Sequence, residues 1–174
     1  MKKILLVVVI LTMAYGCSKE KKEDLNVEGY KPIYIQKSQA HKIGQKEPQV
    51  LLSPGKMYLF NNYIYIVDFG VGIHIIDNTI PSKPNNIAFI SIPGVQDVAV
   101  KNSTLLADNF TDLVSIDISN LSDIKETSRI KNFYPVENQF YPIFSTGYFE
   151  CVDTTKGYVL RWEKANLTNP KCFR

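Results

Sequence analysis

An internal repeat of forty residues limits what this chain can fold into more than any other feature. Sliding residues 54–90 onto 94–130 without a gap places Asp68 on Asp108 and Asp77 on Asp117. Asn62 then meets Asn102, Ser82 meets Ser122, Ile76 meets Ile116 and Ile90 meets Ile130. Ile66 and Leu106, Ile73 and Leu113, and Thr79 and Ser119 are conservative partners in the same overlay. A unit recurring at this period cannot bury its apolar residues alone and stacks on its neighbour.

Each copy reads as four short strands. In the first they are Met57–Phe60, Tyr63–Val67, Ile73–Ile76 and Ile87–Ile92; in the second, Asp97–Val100, Leu105–Ala107, Leu113–Ile118 and Glu126–Ile130. Asn61-Asn62 suits a two-residue hairpin turn, because Asn tolerates positive φ. Gly70 and Gly72 free the backbone of the next turn, and Pro81 and Pro84 mark the third connection. Ten Tyr and nine Phe agree with a strand-rich chain. The middle strands are apolar on both faces, as expected of a small sheet covered on both sides.

Four strands in about forty residues make the blade of a β-propeller. Two blades do not close a ring. The expected fold is therefore all-β, an incomplete or open propeller-like stack of two to three four-stranded antiparallel blades. Residues 54–93 and 94–133 form the repeats, and 134–174 a partial third unit and tail, within one domain spanning 30–174. In the third unit, Val152-Asp153, Gly157 and the strand Tyr158–Trp162 repeat the order Val67-Asp68, Gly72 and Ile73–Asp77.

Tyr65-Ile66-Val67-Asp68 and Gly72-Ile73-His74-Ile75-Ile76-Asp77-Asn78 resemble the repeats of LVIVD-repeat proteins, over roughly residues 54–132. The tail, with Glu150-Cys151-Val152-Asp153, Gly157 and Trp162-Glu163, is similar to short lipoproteins of that kind. The resemblance implies propeller-like blades and a place in a bacterial envelope, and no activity.

The N-terminus reads as an address. Lys2 and Lys3 precede a mostly apolar run from Ile4 to Ala14, and Gly16 precedes Cys17. A basic start, a short apolar core and a small residue before the cleavage point make an export signal over residues 1–16. Eleven residues cover about half of the ~30 Å hydrocarbon core, too little for a spanning helix. Ala14-Tyr15-Gly16-Cys17 resembles the lipobox of bacterial lipoproteins, which implies that Cys17 carries the lipid and becomes the new N-terminus. Residues 17–29 then form a lipidated Cys and a charged, flexible tether. The partner implied is a membrane, reached through the anchor, most simply an outer membrane at its periplasmic or surface face.

The net charge of +3 does not indicate nucleic acid. The 20 Lys and Arg, less Lys2 and Lys3, stand against 17 Asp and Glu, with no basic stripe. The recurring carboxylates Asp68, Asp77, Asp108 and Asp117 have two readings: calcium held between blades, or strand-end acceptors for turn N–H groups. Repetition at equal positions favours the second. His74 lies in an apolar strand and falls on Val114 in the overlay, which points to a packed side chain; His41 sits in a polar stretch. No zinc spacing, nucleophile elbow or phosphate loop is present, so no catalytic residue or cofactor is assigned. Cys151 and Cys172 form an even pair, read as a disulfide in an oxidising compartment. Tyr134, Phe140, Tyr141, Phe144, Tyr148 and Phe149 crowd the stretch after the second repeat, where they either bind a partner or seal the blade stack. These features favour a non-enzymatic, lipid-anchored interaction or scaffold module with an envelope protein or glycan as partner. The alternatives are a hydrolase-like enzyme with its site assembled across blades, and a shortened propeller relative with little activity.

Overall fold

The computed structural model describes residues 24–135 and 139–174. The leader, Cys17 and residues 18–23 lie outside the described residues. The elements run β1 (Asn26–Ile35), a one-turn helix α1 (Lys37–Ala40), β2 (Gly44–Lys46), β3 (Pro54–Phe60), β4 (Tyr63–Asp68), β5 (Gly72–Asp77) and β6 (Asn85–Ser91). They continue with β7 (Val98–Lys101), β8 (Thr104–Asn109), β9 (Asp112–Asp117), β10 (Lys125–Ile130), β11 (Tyr148–Phe149), β12 (Tyr158–Thr168) and β13 (Cys172–Phe173).

Each repeat is an up-and-down antiparallel meander, the connectivity of a propeller blade. The second repeat has the order β10-β9-β8-β7. The first has β6-β5-β4-β3 and adds β2 on its outer edge, so it holds five strands rather than the expected four. Gly44, Gln45 and Lys46 pair there with Ser91, Ile90 and Phe89. The two-residue hairpins fall at Asn61 and Asn102, with φ of 53° and 54°, a backbone region that Asn enters at little cost.

One apolar cluster joins the two sheets. Tyr65, Val67, Ile73, Ile75, Ala88 and Ile90 of the first repeat pack in it with Val98, Leu105, Ala107, Val114 and Ile116 of the second. The face that each strand turns inward reveals a departure from the gapless overlay. Val67 pairs with Ile73, whereas Ala107 pairs with Val114. Six residues separate Ala107 from Val114 where five separate Val67 from Ile73; Asn109 and Asp112 add a further pair, and the turn itself shortens from three residues to two. Beyond that turn the inward residues are Ile73 and Ile75 in one copy and Val114 and Ile116 in the other, a step of forty-one rather than forty.

The third sheet is not a third blade. Its order is β12-β1-β11-β13, with β1 in the interior, antiparallel to β12 and parallel to β11. The pairing runs from Asn26 opposite Thr168 to Ile35 opposite Tyr158. Residues 26–29, expected in the tether, are therefore strand. Gly29 is required there: a Cβ would strike the Tyr148 carbonyl of β11. The sheet meets the repeats at their turns. Gly70, at φ 74°, brings the first repeat so close to β12 that a Cβ would lie 2.6 Å from the Leu160 carbonyl oxygen.

Coverage of the sheets is also unequal. On the outward face of the first repeat Met57 pairs with Ile66, and Leu59 with Ile64; Met57 is 67% exposed and Leu59 65%. The outward face of the second repeat is mixed, with Lys101, Thr104, Ser115, Asp117 and Ser128 beside Ala99, Leu106, Leu113 and Ile130. The expectation that both faces of each sheet are covered fails for the first repeat.

Candidate functional site

The repeated aspartates act first on backbone. Asp68, at the end of β4, accepts from the N–H groups of Leu52 (3.1 Å) and Ser53 (2.7 Å). Asp108, at the matching place in β8, accepts from Gln96 (2.9 Å) and Asp97 (2.7 Å) through Oδ1. Each carboxylate ties down the segment that leads into the innermost strand of its own sheet. Asp77 and Asp117 accept from the N–H of Thr79 and Ser119, each at 2.8 Å, in identical local turns. Hydrogen bonds from the side chain and backbone of Thr79, and from the backbone and side chain of Ser119, hold the two carboxyls below the usual carboxylate value. Relative to the neighbouring strand the two turns differ by one step: Asp77 pairs with Tyr63, Asp117 with Thr104.

His74 is buried, yet its setting is not purely apolar. Nε2 lies 3.4 Å from Asp68 Oδ2, and Nδ1 lies 3.3 Å from Asn86 Nδ2, which also donates to the Gln49 carbonyl at 3.0 Å. An amide donor at Nδ1 makes that nitrogen the acceptor and leaves Nε2–H to donate to Asp68. The overlay with Val114 misled because of the slip: opposite Leu106, on the outward face, the counterpart of His74 is Ser115.

A second polar cluster closes the end of the core between the sheets. Arg129 donates to Asn109 Oδ1 (2.6 Å), Asp112 Oδ2 (2.9 Å) and Glu126 (2.8 Å). His41 Nδ1 lies 3.1 Å from Asn109 Oδ1, and Asn109 Nδ2 donates to the carbonyls of Ala40 and Pro93. Burial pushes the Asp112 carboxyl up, but Arg129, the Asn132 N–H and His41 outweigh it and hold it below its usual value.

Two cavities open beside this cluster, and Gln96 and Ile143 line both. The first, about 220 Å³, is walled by Phe69, Phe144, Leu160, Arg161 and Trp162. The second, about 370 Å³, is lined by Asp97, Asp108, Phe110, Tyr134 and Arg174. Phe110 adopts φ 57°, a backbone conformation uncommon for a bulky residue. It is held there against Gly94, with Tyr158 stacked at 5.1 Å and His41 edge-on at 6.4 Å. Burial pushes the Asp108 carboxyl up despite its two N–H donors. The crowded aromatics divide their roles. Phe149 is buried against Trp162 and Tyr148 meets Phe173, whereas Tyr134 and Phe144 face the cavities. Sequence reasoning passed over Gln96, Asp97 and Phe110, and the repeat pattern, which marks only shared positions, held no signal for them.

Cys151 and Cys172 are joined by a disulfide, Cα to Cα 5.3 Å. It fastens β13 to the second residue after β11. Among the described residues no group of three or more His, Cys, Asp or Glu forms a metal-holding cluster, and no helix is long and apolar enough to cross a membrane.

These features define an open, all-β repeat protein of three sheets, two of them blade-like meanders. Residues 57–89 and 94–131 match the family model of the LVIVD repeat. No curated protein and no solved structure matches the chain.

Proposed function

We propose that this is a cell-envelope protein, anchored by lipid at Cys17, that acts as a non-enzymatic interaction module. The observation that carries this reading is the exposed apolar part of the outward face of the first repeat, at β3, beside the stretch where residues 49–53 cover Asp68 and His74. Val50 (77% exposed) and Leu52 (76%) lie on the same side as Met57 and Leu59, because Gln49 and Leu52 hydrogen-bond to Asn86 and Asp68 of that face. An apolar patch on a sheet face marks a contact surface. The opposite face of the same strands already packs on a sheet, that of the second repeat. The occupant that fits is another apolar sheet face, supplied by an envelope protein. The outward face of this chain's own second repeat, with Lys101, Asp117 and Ser115 among its apolar residues, suits it less well.

The reading is tested with Met57→Glu/Leu59→Glu, both on exposed positions of β3. Wild type should cross-link in the envelope fraction to one protein partner, and the double variant should lose that partner while keeping its melting temperature. Identical cross-linking by both proteins, or a wild type that cross-links to nothing, overturns the reading. The anchor has its own test. Cys17→Ser should block maturation and partition into the aqueous phase of a detergent separation; unchanged mass and partitioning would remove the anchor from the proposal.

A second reading, a hydrolase-like enzyme with its site assembled across blades, draws on one observation: Asp108 is buried in a cavity with its carboxyl pushed up. Such shifts gather at catalytic sites. Turnover of a generic ester or glycoside that disappears in Asp108→Asn would favour it over the first.

A further inference from the structure

The paired cavities form a ligand site of definite chemistry. Asp108 is only 7% exposed, and both of its backbone donors bind Oδ1. None of the described hydrogen bonds engages Oδ2, although the residue lines the second cavity. A charge this buried is costly, and a donor arriving through the cavity would offset part of that cost. Asp97 stands beside it on the same wall and holds the Lys56 ammonium at 2.6 Å, so this rim already captures a protonated amine. The field of the two carboxylates reaches across the cavity. The Tyr134 hydroxyl is held above its usual value by burial and by the charges of Asp108 and Asp97, which Lys56 offsets only in part. The cation lining the same cavity, Arg174, is turned onto the Tyr141 ring at 4.1 Å.

Beyond Gln96 and Ile143 the character changes. Phe69 and Phe144 meet edge to face at 5.9 Å, and Trp162 and Leu160 complete an apolar wall. Phe144 is 80% exposed, a large apolar side chain left in water unless something covers it. We propose that the double cavity binds an amphipathic primary amine. Its ammonium donates to Asp108 and Asp97, and its apolar body lies between Phe69, Phe144 and Trp162. The amine belongs either to a small arylalkyl compound or to the N-terminus of an apolar peptide. This site is separate from the outward face of the first repeat and does not depend on the function proposed for that face.

Trp162 is the only tryptophan of the chain, so its emission reports occupancy of the apolar end. The full-length protein is titrated with phenethylamine, with its neutral isostere 2-phenylethanol, with Phe-Leu amide bearing a free or an acetylated N-terminus, and with cellobiose. Saturable phenethylamine binding at least tenfold tighter than that of 2-phenylethanol is expected. Asp108→Asn keeps an acceptor for the Gln96 and Asp97 N–H groups and removes the charge, and it should erase that tenfold preference. Phe144→Ala, at an exposed position, should weaken amine and alcohol alike. Asp97→Asn should weaken the amine about threefold, which keeps the test decisive if the Asp108 variant does not fold. Tighter binding of the free than of the acetylated dipeptide assigns the peptide source, and phenethylamine binding without it assigns the small amine. Equal affinity for phenethylamine and 2-phenylethanol overturns the proposal. So does amine binding indifferent to both Asp variants, or saturation by cellobiose with the amines silent. Met57→Glu/Leu59→Glu should leave the titration unchanged, so failure here is distinguishable from failure of the interaction surface.

Discussion

Asp108 and Asp112 are four residues apart in one hairpin, and the fold moves their carboxyls in opposite directions. Asp112 is depressed, so its contribution to stability is present above the unfolded carboxylate value and is lost as pH falls through the folded value. Asp108 is raised, so it opposes folding at neutral pH and that opposition is relieved as pH falls toward the raised value. Asp112→Asn should cost about 2 kcal/mol at pH 7, since Arg129 keeps Glu126 and Asn109 but loses the more buried of its two carboxylate partners. That is a fall of about 4–8 °C in melting temperature, converging with wild type below the ordinary carboxylate range. Asp108→Asn should melt no lower than wild type at pH 7 and lose its advantage on acidification. Melting curves between pH 3 and 8 check both, and a large loss at pH 7 in Asp108→Asn would refute the sign. Phenethylamine affinity should also fall on acidification at a pH above the usual carboxylate value, as Asp108 takes up its proton.

At the scale of elements, the meanders were legible and their relative register was not. Strands β3 to β10 start and stop within a few residues of the positions read from alternation, Asn turns and prolines. The one-residue shift in the β8–β9 hairpin was invisible for a physical reason. Ile73-His74-Ile75-Ile76 and Leu113-Val114-Ser115-Ile116 carry apolar residues at both parities, so the pattern does not say which face is inward. The polar partners of His74 were lost with that parity. The third sheet left still less trace. Asn26-Val27-Glu28-Gly29 has the composition of a linker, and only Thr168 to Ala165, far along the chain, makes it strand. The double cavity was legible only as a crowd of aromatics between Tyr134 and Phe149, because a groove is a property of three separate segments. The disulfide acts at this scale too. β13 pairs with β11 at two positions, Tyr148 with Phe173 and Phe149 with Cys172. Cys172→Ser should destabilise the chain by about 3 kcal/mol in the chain-entropy account. Limited proteolysis should then release the tail while β3 to β10 stay protected. Equal resistance of oxidised and Cys172→Ser protein would show that the bond holds nothing in place.

For the whole molecule, stability is divided between a core shared by adjacent repeats and a sheet drawn from both ends of the described chain. The first is built from neighbours in sequence; the second joins β1 to residues far along the chain, as in Tyr30 opposite Lys164 and Phe149. Amide exchange should follow that division, with Val67, Ile75, Leu105 and Ile116 slowest and β11 and β13 fastest. Uniform exchange across all three sheets would mean a single cooperative unit. The position of β1 inside the third sheet also sets an order in time. β1 leaves the ribosome long before β12 exists, and loop closure over that separation is slow relative to the local hairpins of the repeats. The repeats can assemble first, while β1 waits with both edges unpaired. A strand in that condition is open to pairing with the wrong chain. The interval between synthesis of residue 35 and residue 158 is thus the period in which this protein most needs an escort, and a stop or stall before β12 would leave its first strand permanently without a sheet.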